Sequence, residues 1–341
     1  AKMVETNDAW IRERTGIVKR HIIDGDTTVS MAVEAARAAL ENGNVKAEEV
    51  DLILVSTITP NTIIPCTACE VQRELGAVNA TGFDLSAACS GFVFAYNTAQ
   101  AFVEAGMYKT ILVIGSESLS NIVNWQDRGS CILFGDGAGA AVVRAEAGEA
   151  ASCVTHSDGT MGEVLACESR HQMGWQEKEE AKETYMSMDG QSVFKFAVKK
   201  VPEVIGELLE QSNTLVEEID WFVLHQANQR IIESVAKRMK VDIEKFPMNI
   251  AEYGNTSSAS IPILLDEMNR SGKLRRGQKI VFAGFGAGLS WGATLLEQPG
   301  RSHKVRAAKS LSEGRDTASG QEKTDYIYKQ IYRTKRRQQT C

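Results

Sequence analysis

Long apolar runs are absent from this sequence. No stretch of the 341 residues approaches the roughly 18 consecutive apolar residues that a membrane-spanning helix needs. No basic and then apolar leader stands before the first motif. We therefore expect a cytoplasmic protein that does not bind a membrane.

Cysteines in a disulfide or zinc pattern are also lacking. The chain has seven cysteines, an odd number, without a secretion signal, which favours reduced thiols. Cys66 and Cys69 form a C-x-x-C, but no second pair and no histidine pair follows at zinc spacing. Because "PCTACEVQREL" is typical of a helix that opens after Pro65, we predict a packing role for this pair and no bound metal.

Basic residues are too few in most of the chain for a nucleic-acid binder. The formal charge is −6, but residues 1–298 carry 27 basic and 40 acidic side chains, whereas residues 299–341 carry 11 and 4. Phosphate contacts require clustered Lys and Arg, so we expect no nucleic-acid partner. The tail, residues 299–341, has little apolar periodicity, and we predict that it is disordered and lies outside the fold.

The chain contains an internal duplication. "EEVDLILVSTITPN" (48–61) and "EEIDWFVLHQANQR" (217–230) share an acidic helix end, a turn at Asp, an apolar strand and following polar groups. The alternation of strands and helices predicts an α/β fold with mainly parallel sheets, in two related halves at residues 1–150 and 151–298. In such folds, reactive groups collect at the carboxyl ends of the strands.

Cys89 lies in "DLSAACSGF" (84–92), among side chains too small for a conventional core. It ends a predicted strand and opens a predicted helix near Gly91. At that place the helix dipole and the unpaired first-turn N–H groups are expected to lower the pKa of the thiol. One cysteine among seven is more often structural, but this setting favours a nucleophile.

His225 and Asn255 follow in the second half. His225 comes directly after an apolar strand in "WFVLHQANQR", and Asn255 lies in the Gly-Asn turn of "EYGNTSSASIPILL". Each also has an ordinary explanation, as a capped histidine and as a turn residue. Because all three groups stand directly after predicted strands or at turns that open helices, and the duplication relates the two halves, we predict that Cys89, His225 and Asn255 meet in one cleft.

Two glycine-rich stretches look like phosphate-binding loops but lack the required residues. In "KIVFAGFGAGLSWG" (279–292), Leu289 stands where a dinucleotide fingerprint has its third glycine. "FGDGAGAAVV" (134–143) lacks the Lys-Ser/Thr end of a P-loop and predicts tight turns before a buried strand. The first stretch can instead offer N–H groups to an oxyanion.

The motifs as a set resemble those of β-ketoacyl-acyl carrier protein synthase III, the initiating condensing enzyme of bacterial fatty acid synthesis. The resemblance runs from about Lys2 to Leu296 and rests on "DLSAACSGF", "NWQDRGSCILFGDGAGAAV", "SMDGQSVFKFAV", "LHQANQRII", "YGNTSSASIP" and "FAGFGAGLSWG". It implies a thiolase-like fold of two duplicated halves stacked in five layers (α-β-α-β-α). Members of that family begin earlier, so the resemblance also implies that the first strand is missing, and we expected that gap at the centre of a sheet.

The resemblance assigns roles to individual residues. Cys89 corresponds to the acyl-accepting nucleophile, and His225 and Asn255 correspond to its two partners. The backbone N–H of Cys89 and one from the turn at Ala287 and Gly288 correspond to the oxyanion hole. The residues expected to hold coenzyme A are Trp10, Arg14 and Arg128 at its adenine end, and Thr6, Gly190, Phe194 and Asn228 along the pantetheine.

Two further roles concern protein partners. Lys195, Arg230 and Lys237 correspond to a basic rim that docks the acidic carrier protein. Ile64 corresponds to the residue with which the partner subunit limits the acyl pocket, which implies a homodimer.

The implied reaction is a ping-pong condensation. A short acyl group passes from acyl-CoA to Cys89, and malonyl-acyl carrier protein then enters the same site. His225 and Asn255 donate hydrogen bonds to its thioester oxygen, so that the enolate formed as CO2 leaves is stabilised and attacks the acyl group on Cys89. No cofactor is expected, because the coenzyme A thioester is a substrate.

Three other functions stay open on the sequence. A related synthase of secondary metabolism shares these motifs. A papain-like cysteine hydrolase has the same order of Cys, His and Asn, and the gap of 136 residues from Cys89 to His225 fits it, although the C-G-[SA]-C-[WY] signature is absent. A non-catalytic scaffold that binds coenzyme A or carrier protein is the third.

Overall fold

The computed structural model describes residues 3–144, 151–168, 184–297 and 339–340. The helices in these ranges are α1 (Asp8–Thr15), α2 (Thr28–Gly43), α3 (Thr67–Leu75), α4 (Gly91–Glu104), α5 (Arg128–Cys131), α6 (Gly190–Gln211), α7 (Gln229–Met239), α8 (Ile250–Tyr253) and α9 (Ser260–Arg270). The strands are β1 (Lys19–Arg20), β2 (Leu52–Ser56), β3 (Thr81–Leu85), β4 (Thr110–Glu117), β5 (Gly137–Arg144), β6 (Ser152–Ser157), β7 (Leu165–Ala166), β8 (Ser187–Met188), β9 (Trp221–Leu224), β10 (Lys279–Gly286), β11 (Ser290–Glu297) and β12 (Gln339–Thr340).

Two four-stranded sheets form the framework, in the orders β3-β2-β4-β5 and β9-β10-β11-β6. The pairs β3-β2, β2-β4 and β9-β10 are parallel, whereas β4-β5, β10-β11 and β11-β6 are antiparallel. The expectation of mainly parallel sheets is therefore wrong, and both sheets are mixed. For β10 and β11 the reason is their short connection, since a parallel pair needs a crossover of a dozen or more residues.

The central strands and the turns beside them correspond between the two halves at an offset of 169 residues. Leu52 of β2 pairs with Ile111 of β4, and Trp221 of β9 pairs with Ile280 of β10 in the same parallel register. The short 3-10 turns before α4 and α9 correspond in the same way, at Ala88–Ser90 and Ser257–Ala259. The internal duplication read from the sequence is thus present in the strand pairing.

The helices and sheets stack in five layers, which confirms the predicted thiolase-like fold class. The outer helices α2 and α3 cover one face of the first sheet, and α6 and α7 cover one face of the second. Between the sheets lie α4 and α9, with a core that takes residues from both sheets. Because the inner strands are buried on both faces, they are continuous apolar runs such as "LILVS" in β2.

The edges of the sheets differ between the halves. In the second sheet β11 pairs with β10 on one side and β6 on the other, whereas β5 pairs with β4 alone within the part of the chain described. The unpaired position therefore lies at a sheet edge and not at the centre, where we expected it.

The division into halves at residues 1–150 and 151–298 stays a prediction. Each main sheet nevertheless takes its strands from one side of that boundary. Of the predicted disordered tail, only Gln339–Thr340 are described, and they pair antiparallel with Lys19–Arg20; the rest of residues 299–341 lies outside the described residues.

Candidate active site

Cys89 lies in the turn between the carboxyl end of β3 and the amino end of α4, as the sequence indicated. The turn is a 3-10 segment, Ala88–Ser90, in which Ala88 has a left-handed φ of 46°. Cys89 is buried, and burial raises the pKa of its thiol to about 12. A hydrogen bond with Ser257 lowers this pKa and the charge of Glu117 raises it. The expected low pKa is therefore wrong, because desolvation of the thiolate outweighs the helix terminus.

Gly286 brings the second half of the chain against Cys89. It is the last residue of β10, and a Cβ built on it would lie 2.8 Å from the backbone nitrogen of Cys89. Only glycine allows this approach, which places the turn after β10 beside the Cys89 amide. That turn holds Ala287 and Gly288, the residues predicted to complete the oxyanion hole, and their role stays a prediction.

His225 follows β9 and is almost fully buried, with 1% of its surface exposed. Burial lowers the pKa of its imidazole to about 3, so the ring is neutral at physiological pH. Nδ1 lies 2.6 Å from the Ser260 hydroxyl, and that hydroxyl accepts a 3.4 Å hydrogen bond from the Gln226 N–H. Ser260 can therefore donate to Nδ1, which leaves Nε2 as the protonated, donating nitrogen.

Asn255 is held by backbone contacts on both sides. Its N–H donates to the Leu133 carbonyl at 2.9 Å, and its carbonyl accepts from the Gly135 N–H at 2.9 Å. In the side chain, Oδ1 accepts from the Ser257 N–H at 2.9 Å. The amide NH2 is consequently the end of Asn255 that can donate to a ligand.

One cavity of about 470 Å³ brings these three side chains together. The other predicted residues that line it are Trp10, Arg14, Arg128, Gly190, Phe194 and Asn228. Those that do not line it are Thr6, Ala287, Gly288, Lys195, Arg230, Lys237 and Ile64. The cavity therefore reaches from Cys89 to the residues predicted for coenzyme A.

The mouth of the cavity contains an aromatic and cationic pair. The guanidinium of Arg128 lies over the Trp10 ring, 5.1 Å from its centroid. A flat aromatic ring paired with a guanidinium suits the stacking of a purine and the binding of phosphate. Asn228 also stabilises the local structure. It caps α7 by accepting a hydrogen bond from the Arg230 N–H, and its amide donates a hydrogen bond to the Arg14 carbonyl.

The residues predicted to meet protein partners lie on the surface. Lys195 on α6 and both Arg230 and Lys237 on α7 are exposed, and α6 packs against α7. Ile64 is 85% exposed, in the loop between β2 and α3, and its neighbour Ile63 is 69% exposed. Their placement is compatible with docking and with a subunit contact.

Sequence reasoning missed the side chains that position the catalytic ones. Ser260 contacts His225, Ser257 contacts both Asn255 and Cys89, and Phe134 forms a β-bridge with Asn255. The available signal was the serine-rich "NTSSAS" (255–260), which lies opposite "LSAACSG" in the duplication. The sequence does not show which turn each serine faces, so this stretch could not assign the serines to the catalytic residues.

Cys66 and Cys69 lie at the amino end of α3, where Cys66 is the N-cap residue and its Sγ lies 3.4 Å from that of Cys69. Within the described ranges, no group of three or more His, Cys, Asp or Glu is arranged to hold a metal ion. No helix in those ranges is long and apolar enough to cross a membrane.

These features define a class of protein: a five-layer duplicated α/β enzyme with a buried cysteine and two neutral hydrogen-bond donors facing it. Comparisons with known proteins agree. A model described as "3-Oxoacyl-[acyl-carrier-protein (ACP)] synthase III C terminal" matches residues 209–298, and one described as "3-Oxoacyl-[acyl-carrier-protein (ACP)] synthase III" matches residues 83–159. The chain belongs to the 3-oxoacyl-[acyl-carrier-protein] synthase III family.

Individual relatives cover nearly the whole fold. The chain is 48% identical over 299 residues to the beta-ketoacyl-[acyl-carrier-protein] synthase III of Clostridium novyi, covering 87% of this chain and 92% of that protein. The crystal structure of 3-oxoacyl-[acyl-carrier-protein] synthase III from Aquifex aeolicus is similar at a TM-score of 0.81 and 42% identity, covering 87% and 92% of the two chains. The priming β-ketosynthase of the R1128 polyketide pathway is similar at a TM-score of 0.82 and 38% identity, covering 88% and 91%.

Proposed function

We propose that the protein catalyses the condensation that starts fatty acid synthesis, from a short acyl-CoA and malonyl-acyl carrier protein. The observation that carries this proposal is that Cys89, His225 and Asn255 line the same cavity. One nucleophile and two donors suit two successive thioester reactions at one place.

In the first stage the Cys89 thiolate attacks the acyl-CoA carbonyl. The tetrahedral oxyanion is stabilised by the Cys89 N–H and by an N–H of the turn at Ala287 and Gly288, which Gly286 brings close. The C–S bond to coenzyme A then breaks, coenzyme A leaves as the thiolate and takes up from solvent the proton that Cys89 released on ionising, and the acyl group stays on Cys89. Trp10, Arg14 and Arg128 hold the nucleotide end, while Thr6, Gly190, Phe194 and Asn228 lie along the pantetheine.

In the second stage the malonyl thioester oxygen accepts from His225 Nε2–H and the Asn255 NH2. The bond to the carboxylate breaks, CO2 leaves, and the electron pair forms an enolate that both donors stabilise. This carbanion attacks the acyl carbonyl and Cys89 departs as thiolate, giving a 3-oxoacyl-acyl carrier protein. Neither donor has to change its protonation state, which suits a histidine whose pKa is lowered to about 3.

The proposal includes the setting of the enzyme. Lys195, Arg230 and Lys237 dock the acidic carrier protein, and the protein works as a homodimer in the cytoplasm, without a cofactor. Support for the dimer comes from the exposed Ile63 and Ile64 in the loop between β2 and α3, and from the 37% exposed Phe83 on β3, which is an edge strand among the described residues. An apolar patch at an open sheet edge is a typical subunit contact.

The test combines intact mass with release of CO2. After incubation with acetyl-, isobutyryl- and longer acyl-CoAs, we expect a mass increase equal to one acyl group, and the Cys89→Ser variant should show none. His225→Ala and Asn255→Ala should lose decarboxylation of malonyl-acyl carrier protein by about 10²-fold or more while keeping part of the acylation. Normal decarboxylation in both variants would overturn the assigned roles.

The same experiment separates the alternatives. The set of acyl-CoAs that acylate Cys89 distinguishes a fatty acid primer from the starter of a polyketide or other secondary-metabolism synthase, which the likeness to the R1128 enzyme keeps open. Peptidase activity blocked by a thiol reagent would favour a papain-like hydrolase. Coenzyme A binding without acylation would favour a scaffold.

A further inference from the structure

Glu117 is a buried acid that the mechanism above does not use. It is the last residue of β4, and none of its surface is exposed. Burial raises the pKa of its carboxyl group. No ion pair among the described residues includes it. A buried carboxyl group without a cation is costly, so its hydrogen bonds need an explanation.

Five donors from two separate segments converge on Glu117. Oε2 accepts from the Thr57 hydroxyl at 3.2 Å, the Ile58 N–H at 3.1 Å and the Thr59 hydroxyl at 2.7 Å. Oε1 accepts from the hydroxyls of Ser257 at 3.2 Å and Ser258 at 3.1 Å. The first segment leads from β2 towards Ile64, and the second is the turn that follows Asn255. One side chain thus ties the two halves of the chain together behind the cavity.

Ser257 connects this network to the reacting groups. Its N–H donates to Oδ1 of Asn255, which turns the amide NH2 towards the cavity. Its hydroxyl donates to Oε1 of Glu117 at 3.2 Å and lies near enough to Cys89 to lower the pKa of the thiol. Ser257 also has a left-handed φ of 49°, a conformation that a residue other than glycine keeps only when its surroundings hold it.

The duplication shows where Glu117 lies relative to the catalytic centre. At the offset of 169 residues, Glu117 corresponds to Gly286 and Ser258 corresponds to Cys89. Gly286 lies against Cys89, and Glu117 correspondingly binds Ser258. Gly286 has no side chain and leaves room for an oxyanion beside Cys89. In the other half, the carboxyl group of Glu117 fills the corresponding place beside Ser258.

We propose that Glu117 is a positioning residue of the condensing reaction: its carboxyl group holds Ser257, and Ser257 orients the Asn255 amide. The expected effect of Glu117 on turnover rests on the function proposed above. The hydrogen bonds that carry the inference are independent of that function.

The experiment compares Glu117→Ala with Glu117→Gln in the full chain. Glu117→Ala should slow decarboxylation of malonyl-acyl carrier protein by about 10²-fold with little change in KM, since the Asn255 amide is misplaced but the docking surface is intact. Glu117→Gln keeps an oxygen that can accept from Ser257 and should restore the rate to within about tenfold of wild type. Acylation of Cys89 by acyl-CoA should fall less than decarboxylation in both.

The matched control is Asp51→Ala with Asp51→Asn. Oδ2 of Asp51 accepts from the N–H groups of Lys109 and Thr110 at 2.8 and 3.0 Å, so it binds the opposite end of β4. These variants should leave the ratio of decarboxylation to acylation unchanged.

In the double variant Asn255→Ala with Glu117→Ala, decarboxylation should be no slower than in Asn255→Ala alone, because both changes remove the same interaction.

A second readout does not depend on the reaction. Amide hydrogen exchange over residues 255–258 should accelerate in Glu117→Ala and stay close to wild type in Glu117→Gln. If Glu117→Ala does not fold, Glu117→Asp takes its place. Its side chain is one methylene shorter, and it should show smaller losses of decarboxylation rate and of exchange protection. The proposal is overturned if Glu117→Ala or Glu117→Asp changes neither the hydrogen exchange over residues 255–258 nor the ratio of decarboxylation to acylation. It is also overturned if the losses caused by Asn255→Ala and Glu117→Ala add fully in the double variant. A wild-type protein that neither acylates nor decarboxylates would refute the proposed function, and the exchange data would still decide the role of Glu117.

Discussion

At the scale of single residues, the reactivity of Cys89 is a balance between burial and hydrogen bonding. Burial raises the pKa of the thiol to about 12, while the Ser257 hydrogen bond acts in the opposite direction. His225 cannot add a positive charge, because its own pKa is lowered to about 3. The resting site therefore holds a protonated thiol and a neutral imidazole, a dry arrangement that suits thioester chemistry.

This balance predicts the pH dependence of acylation. With subsaturating acyl-CoA, the rate of Cys89 acylation should rise about tenfold per pH unit between pH 7 and 9, because the thiolate fraction does so well below a pKa of about 12. No step should appear near pH 6.5, since His225 stays neutral throughout this range. Quenched time courses followed by intact mass measure the rate. A plateau starting below pH 8 would contradict the high pKa of Cys89.

At the scale of elements, α7 connects the cavity to the surface. Asn228 caps the helix and Ile231 lines the cavity, while Arg230 and Lys237, seven residues apart, lie on one exposed face. Since residues 1–298 carry a surplus of acidic side chains, a local basic face there is suited to an acidic protein partner.

Charge reversal on α7 tests this surface. Arg230→Glu and Lys237→Glu should each raise KM for malonyl-acyl carrier protein about threefold to tenfold at low salt, and the effect should shrink towards 0.5 M salt. Arg238→Glu, about 100° around the same helix, is the control and should change KM by less than about twofold. Steady-state kinetics give KM, and acylation by acyl-CoA is the internal reference. Equal effects of all three substitutions would indicate a general charge effect instead of a docking face.

At the scale of the whole molecule, β3 forms one open edge of the first sheet. It pairs only with β2 among the described residues, and the exposed Phe83 on it lies in the same half as the exposed Ile63 and Ile64. Since β3 leads directly to Cys89, a subunit contact along this edge would support the catalytic turn.

The dimer can be tested with exposed apolar residues. Ile64→Asp and Phe83→Lys should each weaken self-association by about 10-fold or more, because burial of one large apolar side chain contributes about 1.5–3 kcal/mol. Met107→Asp, at another residue that is 62% exposed, is the control and should leave association unchanged. Sedimentation over a concentration series gives the dissociation constants. A wild-type chain that stays monomeric at all concentrations would refute the dimer.

Several features were predictable from the sequence because they depend on local pattern. The strands "LILVS" and "TILVIGS", the helix that opens at Gly91 and the duplication all follow from apolar runs, turn residues and repeated spacing. The convergence of Cys89, His225 and Asn255 was predictable too, because each lies after a strand or in a turn that leads into a helix.

Other features were decided only by the tertiary structure, because they depend on which surfaces meet. The direction of β5 depends on sheet pairing, and no local pattern gives it. The pKa of Cys89 depends on burial by distant segments, which reversed the shift expected from the helix terminus alone. The roles of Ser257 and Glu117 arise where the two halves touch, 140 residues apart in the chain. The sequence by itself thus determined the elements and the reactive side chains, whereas packing between the halves decided their protonation and orientation.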